Sequence, residues 1–361
     1  MTTEDTTSSA NSTSTTPLRG APNTSANVAI ATPPTVAMVD MLAGFQVSQA
    51  LYAVAMLDIA TLLDAGPLPL AELAARAAAH PDALRRLVRA LAPMGVFTTD
   101  GDTVATTALG ATLSRNNPGS AYYVARYWVE THYQPFTELA NTVRTGECGA
   151  TRFLGKPFFD WIVESSDRVE VQNGAFAEIT TGMRNGTFID YSLPEGDIVA
   201  DIGGANGSVL VTLIKDEIDR RGIVFDLPEI VPAARDLIAR EGLTDRIEII
   251  AGDFFAEVPA ADIYILSYIL HDWDDESARR ILDTVATAAN PGARLIIVEG
   301  VIPPDDTPHP LRVVDLTMLC MLTGREREAG EFVSLLDSGG FTIDRIVPTP
   351  SPFSIIEATM R

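Results

Sequence analysis

From about residue 195 the chain alternates short apolar runs with helical stretches, and no other feature restricts its fold as tightly. The runs are Ile198 to Ile202, Gly222 to Phe225, Ile247 to Ile250, Ile263 to Leu266 and Leu295 to Glu299, with later ones near Thr342 to Val347 and Phe353 to Ala358. Helical stretches such as Ser277 to Ala288 lie between them. Strand-length runs of Val, Ile and Leu suit strands covered on both faces, so the spacing predicts a doubly wound α/β domain, a mostly parallel sheet between two helical layers. In such sheets ligands lie across the carboxyl ends of the strands.

Four of those ends hold polar groups. The first has Asp201 with Gly203, Gly204 and Gly207, the second Asp226, the third Gly252-Asp253-Phe254, and the fourth leads through Ser267 to His271. Glycines let a ligand approach the backbone. Asp226 is placed to accept hydrogen bonds from both hydroxyls of a ribose, and Asp253 to receive the exocyclic amine of an adenine while Phe254 packs on its face. The run Gly-Gly-Ala-Asn-Gly departs from the G-x-G-x-x-G spacing of dinucleotide sites, and the acid just before it would repel a pyrophosphate. A cationic, phosphate-free ligand fits better, and S-adenosylmethionine, with its sulfonium and ammonium groups, answers that description. His271 follows a strand and precedes a helix start, which suits a proton-transferring group; the alternative is an ordinary, satisfied histidine.

The rest of the chain frames this domain. Residues 1 to 33 are rich in Thr, Ser, Asn and Pro and read as a disordered tail. Val36 to Leu63 is strongly apolar and reads as two helices that a small domain can hardly enclose alone, so they are expected to pack on the same helices of a second subunit. Leu70 to Ala79 and a stretch opened by His80-Pro81-Asp82 read as helices, the latter with Leu84, Leu87, Val88 and Leu91 on one face. Gly95 to Val104 then reads as a hairpin with an Asp-Gly turn, making residues 34–112 a mostly helical, winged-helix-like domain. Arg85, Arg86 and Arg89 on such a helix suggest DNA binding, but a net charge of −22 opposes nucleic acid and anionic membrane surfaces, so they read as a solvated face. Residues 113–190 read as helices rich in aromatics, a linker and substrate-pocket region ahead of a catalytic domain at 191–361. Trp128, His132, Phe136, Phe176 and Met183 are its candidates for lining a pocket for a flat substrate, with Met318 and Met321 adding to an apolar wall. Two cysteines, Cys148 and Cys320, are too few for a disulfide framework and suit a reducing, cytoplasmic setting. Neither a secretory signal nor a membrane-length apolar run is evident.

From about Met41 onward the chain resembles the acetylserotonin and caffeate type of S-adenosylmethionine-dependent O-methyltransferases. The resemblance rests on Asp-Ile-Gly-Gly-Ala-Asn-Gly at 201–207, Asp-Leu-Pro at 226–228, Gly-Asp-Phe-Phe at 252–255, His-Asp-Trp at 271–273, Glu299 after a strand, and Gly-Arg-Glu-Arg at 324–327. It implies a Rossmann-like methyltransferase domain, an N-terminal winged-helix-like dimerisation domain and hence a homodimer. Within it, the residue matching His271 is the general base, and those matching Glu299 and Glu326 flank its imidazole. A carboxylate at Nδ1 would leave Nε2 facing an acceptor hydroxyl and stabilise the imidazolium. The cofactor set is then Asp201, Gly203, Gly204, Gly207, Asp226, Leu227, Asp253, Phe254 and Ser267, with Asp272 near the substrate, S-adenosylhomocysteine as product and no metal. Asp272, Asp274 and Asp275 also have a plain explanation as acids at a helix N-terminus, and Trp273 as packing. Two departures stand out: Ser267 replaces a lysine common in plant members, and Ala205 replaces the third glycine. The expected reaction is methylation of a phenolic hydroxyl on a small aromatic or polyketide-like molecule. The alternatives are hydroxylation, decarboxylation or pericyclic chemistry on the same fold, or a regulator that senses the cofactor.

Overall fold

The computed structural model describes residues 33–184 and 186–361. The expected N-terminal tail therefore lies almost entirely outside the described residues. The chain divides between Gly44 and Phe45 into two compact units.

The first unit contributes helix α1, Pro34–Leu42, which buries no residue. Helix α2 (Gly44–Met56), all but its first residue in the second unit, buries only Val54 and Ala55. Val36, Val39, Met41 and Leu42 of α1 are exposed, as are Phe45 and Met56 of α2. Such runs of apolar surface on neighbouring helices are unusual for a face that meets water.

Helices α3 (Leu70–Arg76) and α4 (Pro81–Leu91) follow. His80 caps α4 by accepting from the Ala83 N–H, and Leu84, Val88 and Leu91 are buried, as their spacing requires. The hairpin pairs Phe97–Asp100 with Thr103–Thr106, leaving Gly101 and Asp102 as the turn, with Gly101 at φ +56. Leu68–Pro69 adds a third strand to this wing. Arg85 is paired with Asp102 across the wing at 2.7 Å, so one of the three arginines considered for DNA has an intramolecular partner.

The main sheet has seven strands: β1 Ile198–Ile202, β2 Arg221–Asp226, β3 Ile247–Ala251, β4 Ile263–Ser267, β5 Arg294–Glu299, β6 Phe341–Pro348 and β7 Ser354–Met360. Their spatial order is β3-β2-β1-β4-β5-β7-β6. The first five are parallel, and β7 runs antiparallel between β5 and β6. All of β4 is buried, as are the apolar residues of β5, because one core cluster lies on each face of the sheet. Chain order reverses between β1 and β4. Their carboxyl ends, at Ile202 and Ser267, border the crevice where a doubly wound sheet binds ligands.

Over that crevice lie α5 (Phe158–Val163) and α6 (Ser166–Gly182). Helices α7 (Ser208–Ile214), α8 (Asp275–Ala288) and α9 (Leu311–Met321) complete the elements that shape the site.

Candidate active site

A cavity of about 290 Å³ opens at the ends of β1 and β4. Its cofactor side is built by the glycine turn after β1. Gly203 sits at φ +70, and a Cβ there would come 2.4 Å from Ile269 Cδ1. At Gly204 a Cβ would come 2.9 Å from the Asp201 carboxyl carbon. Both positions thus exclude side chains, and the backbone forms the wall. Gly207, at φ +76, caps α7 and does not reach the cavity, so its role is to turn the chain.

Asp201 is 1% exposed, lines the cavity, and neither of its carboxyl oxygens has a hydrogen-bond partner. Burial pushes its pKa up to about 7 against the pull of Arg184. A carboxylate left in this condition calls for a cationic donor. Asp226 accepts from the Ala205 and Leu227 N–H groups at 2.9 and 2.7 Å, which fixes its carboxylate at the cavity rim. Asp253 anchors its own turn by accepting from the Phe255 N–H, and Phe254 stands beside it on the wall. Asp201, Gly203, Gly204, Asp226, Leu227, Asp253, Phe254 and Ser267 therefore all line one cavity. An orphaned acid, a bare glycine cradle and a second acid one strand away fit an adenosine joined to a cationic amino-acid tail.

Ala205 occupies a left-handed conformation, φ +46, where an L side chain costs about 1–2 kcal/mol. Ala205→Gly is expected to raise Tm by about 1–2 °C while leaving cofactor affinity intact. A lower melting temperature by calorimetry would contradict this.

The second half of the site is the turn after β4. His271 is 2% exposed, and its Nδ1 lies 2.8 Å from Glu326 Oε1. Glu299 and Glu326 are both buried, and each retains one oxygen without a partner. The three predicted residues thus converge, with one correction. Glu299 accepts from the His271 backbone N–H at 3.1 Å and does not bond the ring, so it fixes the turn while Glu326 fixes the tautomer. Nor is Nε2 free: Asp272 Oδ1 lies 3.2 Å from it. Asp272 is therefore no helix-end acid. The cap of α8 is Asp274, accepting from the Ser277 N–H, whereas Asp272 lies in the short helical turn Leu270–Asp272 and lines the cavity. Burial alone would lower the His271 pKa, but Asp272, Glu326 and Glu299 raise it to about 9.

Two further features hold this turn. Arg327, 1% exposed, donates to the Leu270 and Trp273 carbonyls at 2.8 and 2.9 Å and to Asp275, bracketing His271 from behind. Gly324 has to be glycine, because a Cβ would fall 1.8 Å from the His271 carbonyl oxygen.

Some residues escaped the sequence reading. Tyr268 adopts φ +63 and places its ring 3.7 Å from that of His271. A bulky residue held there stores strain beside the imidazole. Arg184 donates to Ser267 Oγ at 3.0 Å, lies over the Tyr268 ring and leaves its Nε unpaired. Trp273, expected only to pack, lines the cavity and meets Phe255 edge-on.

Of the other substrate candidates only Phe176 reaches the cavity. Trp128 is 51% exposed, while His132 is buried against Tyr127 and Phe158. Trp128–His132 forms a π-turn, which changes the angular spacing assumed for a regular helix. Phe136 packs at the edge of that ring cluster, Met183 packs under the sheet, and Met318 is buried away from the cavity wall.

Comparison with known proteins agrees with this arrangement. Residues 136–342 match the model of the O-methyltransferase domain and residues 19–116 that of the O-methyltransferase dimerisation domain. The chain is 36% identical to the phenazine O-methyltransferase of Lysobacter antibioticus, over 92% of its own length and 98% of that protein. Human N-acetylserotonin methyltransferase, solved with S-adenosylmethionine, superposes with a TM-score of 0.84 at 26% identity, covering 92% of this chain and 99% of that one. An O-methyltransferase from neocarzinostatin biosynthesis, solved with S-adenosylmethionine and 2-hydroxy-5-methyl naphthoic acid, gives 0.76 at 30% identity, covering 87% and 96%.

Proposed function

Because this chain belongs to the O-methyltransferase family and is an S-adenosylmethionine-dependent O-methyltransferase, we propose that it methylates a phenolic hydroxyl on a small fused-ring aromatic, with His271 as general base. The observation that carries this reading is the Glu326–His271 pair, held just behind the cavity that Asp201 enters with an unpaired carboxylate. A relative named for phenazine and a neighbour solved with a naphthoic acid support the aromatic class.

Bound S-adenosylmethionine supplies a methyl group on a sulfonium. Asp201 receives the ammonium of its amino-acid end, and Arg184 receives the carboxylate, standing in for the lysine that Ser267 replaces. Asp226 holds the ribose hydroxyls, and Asp253 with Phe254 holds the adenine. Glu326 keeps the Nδ1 proton, so Nε2 is the atom that removes the acceptor's proton. Asp272 marks where that hydroxyl arrives, since it occupies the hydrogen-bonding position of Nε2. Tyr268 and Asp272 line the cavity on either side of the buried ring. No step requires a metal, and full activity in chelator is the corresponding expectation. The exposed faces of α1 and α2 meet those of a second copy in a homodimer.

Incubating the protein with methyl-labelled S-adenosylmethionine and a panel of phenols should give labelled methyl ethers together with S-adenosylhomocysteine. Hydroxylated or decarboxylated products without a methyl ether would replace this reading with one of the sister chemistries.

The pH dependence follows from His271. Its pKa is raised to about 9, so the ring is protonated at pH 7 and the basic form is the minority. The rate of methyl transfer should therefore rise with pH. Glu326→Gln removes a carboxylate that favours the imidazolium and should move the rising limb to lower pH, at a lower plateau. A flat profile in both proteins from pH 6 to 9 would argue against imidazole as the base.

A further inference from the structure

The acceptor side of the cavity is walled by one face of α6, where Gln172, Phe176 and Ile179 follow at helical spacing. Phe159 and Ile162 of α5 face them, and Trp273 closes the end beside the base. These are flat or aliphatic groups, suited to a planar ring. Gln172 is the exception. It is 6% exposed, its Oε1 has no hydrogen-bond partner, and its amide makes no other hydrogen bond among the described residues. Withholding the amide oxygen from water without a partner costs about 1–3 kcal/mol, a cost that leucine at the same place would not incur.

Its position tells what the partner is attached to. From Gln172 to the end of α6 at Gly182 the helix rises about 15 Å, and Arg184, just beyond, bonds Ser267 at the cofactor end. Gln172 is thus about three helical turns from the Arg184–Ser267 contact at the end of β4, and an acceptor laid along α6 with its hydroxyl toward His271 presents its remote ring to Gln172. A glutamine amide can turn to offer either its oxygen or its N–H groups, so it reads an acceptor or a donor but gains nothing from a hydrocarbon edge.

We propose that Gln172 is a specificity-determining residue that selects fused-ring phenols bearing a second hydrogen-bonding group, a ring nitrogen, carbonyl or amine, on the ring remote from the hydroxyl to be methylated. The inference rests on the methyl-transfer reading above for the orientation of the acceptor.

Four probes of one shape test it: 2-naphthol, 6-hydroxyquinoline, 7-hydroxyquinoline and 6-amino-2-naphthol. With the full-length protein and saturating S-adenosylmethionine, at least one polar probe should exceed 2-naphthol about tenfold in kcat/KM, the value of one hydrogen bond to an otherwise unpaired amide. Gln172→Leu should erase that ratio by lowering the polar probe relative to 2-naphthol, and Gln172→Met, of similar length, should do the same. Calorimetric binding of the four probes to the S-adenosylhomocysteine complex gives a readout independent of turnover. Methylation of all four without preference in the wild-type protein, or a ratio unchanged in both variants, overturns the role of Gln172 and leaves methyl transfer standing. Binding preference without methylation of any probe keeps the role and overturns the phenol reading. Failure of all four to bind overturns the proposal.

Discussion

Replacing His271 by Ala should lower kcat by roughly two to four orders of magnitude while affinity for S-adenosylmethionine stays nearly constant. The two halves of that expectation come from different observations. The imidazole does not line the cavity that takes the methyl donor, so its loss removes no cofactor contact. It is, however, the one imidazole poised between a carboxylate on Nδ1 and an acid lining the cavity near Nε2 among the described residues. Without it an acceptor hydroxyl has to react with its proton in place. The variant also strands Glu326, which is buried and already has one oxygen unpaired, so some loss of stability accompanies the substitution. His271→Gln separates the two effects, because its amide can still donate to Glu326 but cannot take a proton at neutral pH. Single-turnover rates together with S-adenosylhomocysteine titration give the result. Turnover within threefold of wild type in both variants would remove His271 from the mechanism.

The second large effect concerns Asp201, and it has opposite signs in the free and bound protein. Asp201→Ala should weaken S-adenosylmethionine binding about 100-fold, the loss of one charge-assisted hydrogen bond in an enclosed site. The same change should stabilise the unliganded protein, since it removes a buried carboxyl whose two oxygens have no partner. A pH signature accompanies this. Burial, opposed by Arg184, raises the Asp201 pKa to about 7, so in the free protein the group is protonated below that pH. Binding a cation requires the carboxylate, and affinity should therefore fall as pH drops through 7 in the wild type and remain flat in Asp201→Ala. Calorimetry at pH 6 and pH 8 reads all three consequences. Equal affinity of the two proteins would place the ammonium elsewhere.

The catalytic sheet was legible because its central strands are buried on both faces, which forces uninterrupted apolar runs, as in β4 from Ile263 to Leu266. Residues at strand ends were legible for the same reason: chain direction and strand order put Asp201, Asp226 and Asp253 on one edge. What lay hidden depends on the rotation of helices and on local backbone. Gln172 belongs to a helix of little amphipathic bias and Arg184 follows its end, and only the packing of this segment over the crevice shows which residues enter the cavity. Trp128 and His132 lie off the cavity wall, in a π-helical segment whose side-chain directions the regular 3.6-residue period does not give. Asp272 looked like one of three equivalent acids until the start of α8 fell at Asp274. The close, tilted approach of the Tyr268 ring to His271 goes with a positive φ that no sequence rule assigns to tyrosine.

The clamp made by Arg327 has a consequence for how such catalysts diversify. Because Arg327 holds the His271 turn by its Leu270 and Trp273 carbonyls, that turn takes no hydrogen bond from Gln172 or Phe176 across the cavity, and Phe159 meets it only through the Trp273 ring. Substitutions at Gln172 and Phe176 can therefore reshape that far wall without unfastening the turn that carries His271.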